Sequence, residues 1–202
     1  MDGLFTTLSK LASVILACLA VISISCAPGQ VKKYSLEPEG NRDVYRVVNE
    51  KGFQIWVQYL DREARDDYFM REGIRGLANV FNTLPLNVFL VAVTNIAAEH
   101  IIFNPRMTLL ADGKWVRAGP YTYANLYMDI RAIGGGQHIL KQLQKLTFER
   151  PVTLKKGQRV EKLLLFPRPE TIGKEVYLLF ESIYVNGESV DVSMKFEAVI
   201  DK

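Results

Sequence analysis

The sequence is poor in cysteine. Only two cysteines occur among 202 residues, and both, Cys18 and Cys26, lie near the N-terminus. The chain from residue 27 onward therefore cannot form a disulfide within itself, bind a metal through thiolates or use a cysteine nucleophile. A domain of about 170 residues buries enough surface to fold without cross-links. We expect its hydrophobic core alone to stabilise it.

Histidine, the commonest general base and metal ligand, is equally scarce. His100 follows Glu99 in a predicted connecting turn, and His138 follows the glycine triplet at residues 134–136. No HxH or HExxH pattern and no acidic cluster at ligand spacing accompanies either histidine. We therefore expect no metal site and no cofactor, and we interpret both histidines as solvated or helix-capping residues.

Signatures of phosphate, calcium and hydrolase sites are also missing. The glycine triplet lacks the G-x-G-x-x-G and Gly-Lys-Ser/Thr spacings, so we interpret it as a hinge before a helix, whose N-terminus could accept an anion.

The charged residues 61–73 lack the spacing of a calcium loop. Arg62, Arg65 and Arg71 interleave with the acids there, which predicts a self-neutralised surface on a loop or one or two helical turns. No G-x-S-x-G motif occurs. We expect a protein that is not an enzyme.

Charge of one sign is not in excess. The chain has 25 Lys+Arg and 22 Asp+Glu, a formal net charge of +3, and no block of five like charges. Nucleic-acid binding requires clustered basic residues that displace counterions from phosphates. The sequence therefore predicts no nucleic-acid partner.

A long uncharged run is present at the N-terminus. Residues 11–25 (LASVILACLAVISIS) carry no charge and follow a short segment that contains Asp2 and Lys10. The run is short for a membrane-spanning helix, which needs about 20 apolar residues. It matches the apolar core of a secretory signal, about 7–15 residues long. We predict a signal peptide over residues 1–25, with an uncleaved N-terminal anchor helix as the alternative.

Cys26 ends the apolar run. Residues 23–26 (SISC) resemble the lipobox of bacterial lipoprotein signal peptides, in which the cysteine thiol receives a diacylglycerol before cleavage. Ser25 supplies the small residue that precedes the cysteine, whereas Ser23 departs from the aliphatic residue usual at its position. Cys18 is the competing site, but cleavage there would leave residues 19–25 as a bare apolar tail.

The resemblance implies a lipidated protein. Cys26 would carry palmitate-type acyl chains, and residues 26–42 would form the lipid anchor and a polar tether. The membrane would be the outer membrane, with the protein facing the periplasm, if the cell is Gram-negative. A plain signal peptide, or an uncleaved anchor with Cys26 as an ordinary thiol, are the alternatives.

Residues 43–202 are predicted to form a β domain. Phe53, Ile55 and Val57 alternate with polar or amphipathic residues, and residues 86–94 (LNVFLVAVT) are typical of a strand buried on both faces. The Asn-Gly pair at 186–187 predicts a hairpin, and Lys156-Gly157 predicts another between strands near residues 152–154 and 160–166. Only residues 138–146 have convincing helical spacing.

About seven to nine strands with one inserted helix predict an antiparallel, immunoglobulin-like β-sandwich. The segments FLVAVTN, IIFNPRMTLLADGKW and VTLKKGQRVEKLLLFPRP resemble the Ig-like domains of small bacterial lipoproteins. The resemblance covers roughly the last 120 residues. It implies the same fold and brings no catalytic residue with it.

Aromatic residues are concentrated between residues 115 and 127. Trp115, Tyr121, Tyr123 and Tyr127 fall in a predicted strand-and-turn region, where the three tyrosines would share one face of a strand. Exposed, these rings would form a platform for a carbohydrate or a peptide. Buried, they would be part of the core.

These features predict a non-enzymatic cell-envelope lipoprotein of binding, scaffold or assembly-accessory type. Its partners would be the membrane, through Cys26, and a protein of the envelope. One alternative is a carbohydrate- or peptidoglycan-binding module that uses the aromatic residues. Another is an envelope hydrolase that uses carboxylates with His100 or His138.

Overall fold

Two antiparallel sheets contain most of the regular structure. The computed structural model describes residues 34–39, 44–113, 117–169 and 172–200. The strands found there are β1 (Tyr34–Pro38), β2 (Tyr45–Asn49), β3 (Phe53–Tyr59), β4 (Leu86–Asn95), β5 (His100–Phe103), β6 (Thr108–Asp112), β7 (Arg117–Ala118), β8 (Val152–Lys155), β9 (Arg159–Pro167), β10 (Glu175–Val185) and β11 (Glu188–Ile200). The predicted signal peptide, Cys18 and Cys26 lie outside the described residues.

The larger sheet has seven strands and the smaller sheet has four. In the larger sheet the order is β1-β11-β10-β5-β8; β6 also pairs with β10, and β7 pairs with β6. In the smaller sheet the order is β2-β3-β4-β9. Each of these strand pairs is antiparallel. The prediction of a mainly β, antiparallel fold with two sheets is confirmed at this level.

A layer of helices packs on the smaller sheet. The described residues contain α1 (Arg62–Arg71), α2 (Arg75–Thr83), α3 (Tyr123–Ala132) and α4 (Gln137–Leu146), together with a short 3₁₀ helix at Pro105–Met107. Each α-helix contributes buried apolar side chains to one cluster with β4 and β9. A second cluster lies between the two sheets. No helix in the part of the chain described here is long and apolar enough to cross a membrane.

Strand β4 separates the two hydrophobic clusters. Phe89, Val91 and Val93 contact the cluster between the sheets. Val88 and Leu90, on the opposite face, contact the cluster under the helices. This explains why residues 86–94 are apolar without alternation, and the predicted strand buried on both faces is confirmed.

The predicted strand and helix counts are wrong. Eleven strands replace the expected seven to nine, and four α-helices among the described residues replace the single inserted helix. Helix α4 was expected, because its leucines have clear helical spacing. Helix α1 is strongly polar, and only Arg65, Tyr68 and Phe69 are buried along it, so its sequence shows little amphipathic pattern.

The segment Tyr123–Ala132 is helical rather than strand-and-turn. Thr122 and Asn125 form a capping box that starts α3, and Leu126 and Ile130 bury one face of it. The odd-numbered positions of Tyr121, Tyr123 and Tyr127 favour a strand, in which they would share one face. The capping box and the burial of the two aliphatic residues stabilise a helix instead.

Two further predictions for the β domain change, namely where its first strand lies and which strands pair near residue 156. Residues 34–38, expected in the tether, form β1, which pairs with β11. Tyr34, Leu36 and Pro38 are buried there, but three alternating residues in a polar stretch are too few to give a clear pattern. The predicted hairpin at Lys156-Gly157 is wrong, because β8 pairs with β5 while β9 pairs with β4 in the other sheet. A turn signal shows that the chain reverses, not which strand it then joins.

The hairpin at the Asn-Gly pair is confirmed. Strands β10 and β11 pair in antiparallel register on either side of it. Asn186 and Gly187 both have positive φ, 51° and 89°, which is the geometry these residues tolerate best in a two-residue turn.

Candidate functional site

A cavity of about 530 Å³ opens at one end of the smaller sheet. Strand β3 ends there at Tyr59, β4 begins there at Leu86, and Arg168 follows the end of β9. These ends meet because the three strands are antiparallel neighbours. The first turn of α1, the end of α2 and Tyr34 of β1 complete the wall. Six elements from four separate parts of the sequence therefore converge on one space.

Arg65 brings a buried cation to this cavity. Its side chain is 7% exposed, and its guanidinium lies 5.9 Å from the centre of the Phe81 ring. Nη2 donates a hydrogen bond to Asn82 Oδ1 at 2.7 Å, whereas the buried Nε has no partner. Burial lowers the pKa of Arg65 from its ordinary value, because removal from water disfavours the charged form.

Local structure explains the position of Arg65. Asp61 caps α1, and its Oδ1 accepts a hydrogen bond from the backbone N–H of Ala64 at 2.9 Å. Arg65 lies one helical turn before Phe69, on the face of α1 that packs inward. The helix therefore directs the arginine toward the cavity together with its apolar residues.

Arg168 supplies a second guanidinium. Its backbone N–H donates to the carbonyl of Pro85 at 2.7 Å, which fixes the chain just after β9. Nη2 donates to the carbonyl oxygen of Tyr34, and the guanidinium stacks on the Tyr34 ring at 4.2 Å from its centre. As in Arg65, the buried Nε has no hydrogen-bond partner.

Two tyrosines in the wall are held by one buried amide. Asn87 is fully buried, and its Nδ2 donates to the Tyr34 hydroxyl at 3.0 Å. The Tyr59 hydroxyl donates to Asn87 Oδ1 at 3.4 Å. Burial raises the pKa of Tyr59 to about 12 and also raises that of Tyr34. Both phenols are therefore neutral at neutral pH, and they do not compensate the arginines.

The charges around the cavity are unevenly placed. Asp61, Arg62 and Glu63 are exposed at the rim, and one oxygen of Asp61 is engaged in capping α1. No salt bridge joins Arg65 or Arg168 to a carboxylate within the described ranges. The interior thus presents guanidinium donors without a paired acid, an arrangement suited to an oxyanion.

The predicted aromatic platform is only partly assembled. Tyr123 and Tyr127 lie one turn apart on α3, and Tyr121 directly precedes that helix. Tyr121 and Tyr123 are half-buried and line a groove of about 250 Å³, whereas Tyr127 is 40% exposed and does not line it. The Tyr121 hydroxyl donates to Asp129, and burial is the main cause that raises its pKa to about 12. Trp115 lies outside the described residues.

The two histidines occupy separate elements. His100 is the first residue of β5, and its backbone N–H donates to Asn186 Oδ1 at 3.1 Å. His138 lies in the first turn of α4, as its position after the glycine triplet predicted. No group of three or more His, Cys, Asp or Glu residues that could hold a metal ion occurs in the described part of the chain.

Sequence reasoning missed the residues of the cavity. Arg65 was interpreted as part of a self-neutralised surface, yet it is buried. One signal could have found it, since a helix that places Tyr68 and Phe69 inward also turns Arg65 inward. Asn87 carried a second signal, as a lone amide within the apolar run of residues 86–94. A buried amide of this kind needs polar partners.

Comparison with known proteins adds little. No protein-family model matches the chain, and no curated protein matches it. Part of the chain is similar to the crystal structure of the yjhA protein from Bacillus subtilis, with 17% sequence identity and a TM-score of 0.36. The similarity covers 56% of this chain and 76% of that one. A similarity this distant carries no argument about function.

Proposed function

We propose that this chain is a non-enzymatic binding protein of the cell envelope, tethered to a membrane by lipid on Cys26. In this proposal the mature domain is an immunoglobulin-like β-sandwich covered by helices on one sheet. It acts as a binding, scaffold or assembly-accessory component with a protein partner in the envelope. In a Gram-negative cell it resides at the outer membrane and faces the periplasm.

The observation that carries the binding role is the cavity with two guanidiniums. Buried charges are costly unless they are paired, and stability alone gives no reason to keep them unpaired. Arg65 and Arg168 line one cavity, and neither forms a salt bridge in the described part of the chain. Binding sites are places where such unfavourable arrangements are retained.

The tether is supported by the sequence alone. Residues 23–26 resemble a lipobox, and the 15 uncharged residues 11–25 resemble the core of a signal peptide. Two or more acyl chains anchor a protein durably, since each buried CH₂ contributes about 0.8 kcal/mol.

The experiment for the tether is metabolic labelling with a radioactive fatty acid. We expect label in the wild type and in Cys18→Ala, and no label in Cys26→Ala. Cys18→Ala is the matched control, because it removes the only other cysteine. Equal incorporation in the wild type and Cys26→Ala would show that Cys26 is not the attachment site.

A second candidate function is carbohydrate binding at the tyrosine groove. It is favoured by Tyr121 and Tyr123, which line a groove with Arg106 and Glu149, an aromatic wall with polar groups at hand. The test is a pull-down of the full chain with insoluble peptidoglycan. Tyr123→Ala should reduce the bound fraction, whereas Tyr184→Ala, at an exposed tyrosine on β10, should not.

A further inference from the structure

The two arginines of the cavity lack an anion that the fold could have supplied. Arg65 is the more buried, and its only hydrogen bond to a described side chain goes to the neutral Asn82. The nearest acid in sequence, Asp66, forms no ion pair with it. Arg168 contacts a carbonyl oxygen and an aromatic ring, which are also neutral. Each guanidinium therefore has hydrogen-bonding capacity left over.

The two cations also act on each other. Burial is the main cause that lowers the pKa of Arg65; the charge of Asp66 opposes this shift, and the charge of Arg168 adds to it. They come from separate parts of the chain, α1 and the end of β9, and nothing in their local structure requires them to meet. A ligand with a single negative charge would balance one of them. A phosphate monoester carries about −1.5 to −2 charges near pH 7 and three acceptor oxygens, and so it balances both.

One part of the cavity wall is apolar or aromatic, while Ser35, Asn82 and the rim residues 61–63 are polar or charged. Phe81, Leu84 and Leu86 line it together with the rings of Tyr34 and Tyr59. Free inorganic phosphate would leave this surface uncovered. An apolar group attached to the phosphate would cover it and add about 25 cal/mol for each Å² removed from water.

We propose that the cavity binds a phosphate monoester on a short apolar body, with Arg65 and Arg168 as donors to its oxygens. The inference rests on the binding role proposed above, and it names the chemical class of the ligand. Asn82 acts as a positioning residue, because it holds Nη2 of Arg65 and so orients the guanidinium. Tyr59 and Phe81 contact the apolar body.

Two sources could supply this phosphate chemistry, a soluble metabolite and a lipid headgroup. Tyr34, in the cavity wall, is the eighth residue after Cys26. Eight extended residues span at most about 28 Å. A lipid on Cys26 would thus keep the cavity close to the membrane, where headgroups are abundant. The experiment therefore includes a soluble arm and a vesicle arm.

The soluble arm measures binding of hexyl phosphate to the full chain in a non-ionic detergent by calorimetry. We expect hexyl phosphate to bind at least tenfold more tightly than inorganic phosphate or hexanoate. Arg65→Gln and Arg168→Gln should each weaken it by a factor of about ten or more, because a hydrogen bond to a charged group is lost. The control Arg71→Gln changes an exposed arginine at the end of α1 and should leave binding unchanged.

Each possible result of the soluble arm either supports or overturns the proposed phosphate ligand. No binding of hexyl phosphate, or equal binding by Arg168→Gln and the wild type, overturns the inference. Equal affinity for hexanoate overturns the phosphate assignment. If Arg65→Gln fails to fold by circular dichroism, Arg168→Gln decides, since Arg168 is only half-buried. Fatty-acid labelling is independent of all these results. The proposal of lipid attachment and the proposal of a phosphate ligand can therefore be refuted separately.

The vesicle arm uses Cys26→Ala, which removes the proposed anchor. Co-sedimentation with vesicles that contain phosphatidic acid, but not with phosphatidylcholine alone, would identify a lipid headgroup as the source. Arg168→Gln should abolish that co-sedimentation. Binding of hexyl phosphate without co-sedimentation would support the inference with a soluble ligand.

Discussion

Two groups of cations in this protein differ in how their charge is balanced. Lys195 on β11 lies between Glu39 and Glu175, with Nζ 3.1 Å and 2.9 Å from their carboxylate oxygens. These hydrogen bonds, first to Glu175 and then to Glu39, raise the pKa of Lys195. Arg65 in the cavity has no such partner, and burial lowers its pKa. The partly exposed cation, Lys195, is paired, whereas the buried cation, Arg65, has no ion pair in the described ranges.

This difference in pairing indicates which cations stabilise the folded structure. Lys195 and its two acids join β1, β11 and β10, so their pairing is part of the larger sheet. A pair at the surface costs little to form and contributes little. A buried cation costs far more, so selection for stability would have paired or removed it. The contrast is consistent with a structural role for Lys195, and it is the reason why we propose a binding role for Arg65 and Arg168.

The largest effect on stability is expected at Asn87, which forms hydrogen bonds with two tyrosine hydroxyls of the cavity wall. Asn87→Leu should lower the free energy of unfolding by about 2–3 kcal/mol, because the hydroxyls of Tyr34 and Tyr59 lose a buried partner. Urea denaturation checks this. The control Gln58→Leu, at a half-buried residue on β3, should change stability by about 0.5 kcal/mol or less. An unchanged Asn87→Leu would mean that the amide does not organise the cavity wall.

Alkaline unfolding should report on the buried phenols of the same cavity. The pKa of Tyr59 is raised to about 12 by burial. The unfolded state therefore releases this proton first, near its ordinary value of about 10. The stability that Tyr59 contributes is complete below about pH 10 and is lost as the pH rises toward 12.

Tyr59→Phe should accordingly move the alkaline unfolding midpoint to higher pH, as followed by circular dichroism. Tyr184→Phe, which changes an exposed tyrosine on β10, provides the control and should leave the midpoint in place. A midpoint that does not move in Tyr59→Phe would show that this phenol does not limit alkaline stability.

A smaller effect is expected for the buried cation itself. Arg65→Met should change the ligand-free free energy of unfolding by about 1 kcal/mol or less. The lost hydrogen bond to Asn82 is offset when a buried charge is removed. Urea denaturation measures this without ligand. Destabilisation above about 3 kcal/mol, the size expected for a broken buried ion pair, would place Arg65 with the structural cations.

The smallest effect is expected at Lys195. Lys195→Met should shift the urea midpoint less than Asn87→Leu or Arg65→Met, because both of its acidic partners are exposed and surface ion pairs contribute little. The shift should vanish in about 1 M NaCl, where charges are screened beyond about 3 Å. A large shift of the urea midpoint that persists in salt would show that the Lys195 ion pairs are strong, and it would contradict the contrast drawn between Lys195 and Arg65.

The sequence predicted the parts of the fold that depend on local patterns. The apolar run of β4, the Asn-Gly hairpin between β10 and β11, and the leucine spacing of α4 all fold as expected. In each, a period or a turn signal lies within about a dozen residues, so no distant partner is needed to interpret it. The polar helix α1, predicted as a loop or one or two helical turns, and the capped helix α3, predicted as strand-and-turn, lacked such a pattern.

The composition by itself determined that the chain from residue 27 onward folds without cysteine, and the alternation of β3 and β11 determined which of their side chains turn inward. Only the tertiary structure decided that β8 and β9 join different sheets and that Arg65 and Arg168 line one cavity. Periodicity specifies the face of an element that is buried. It does not specify which other elements cover that face, and the cavity lies where those elements converge.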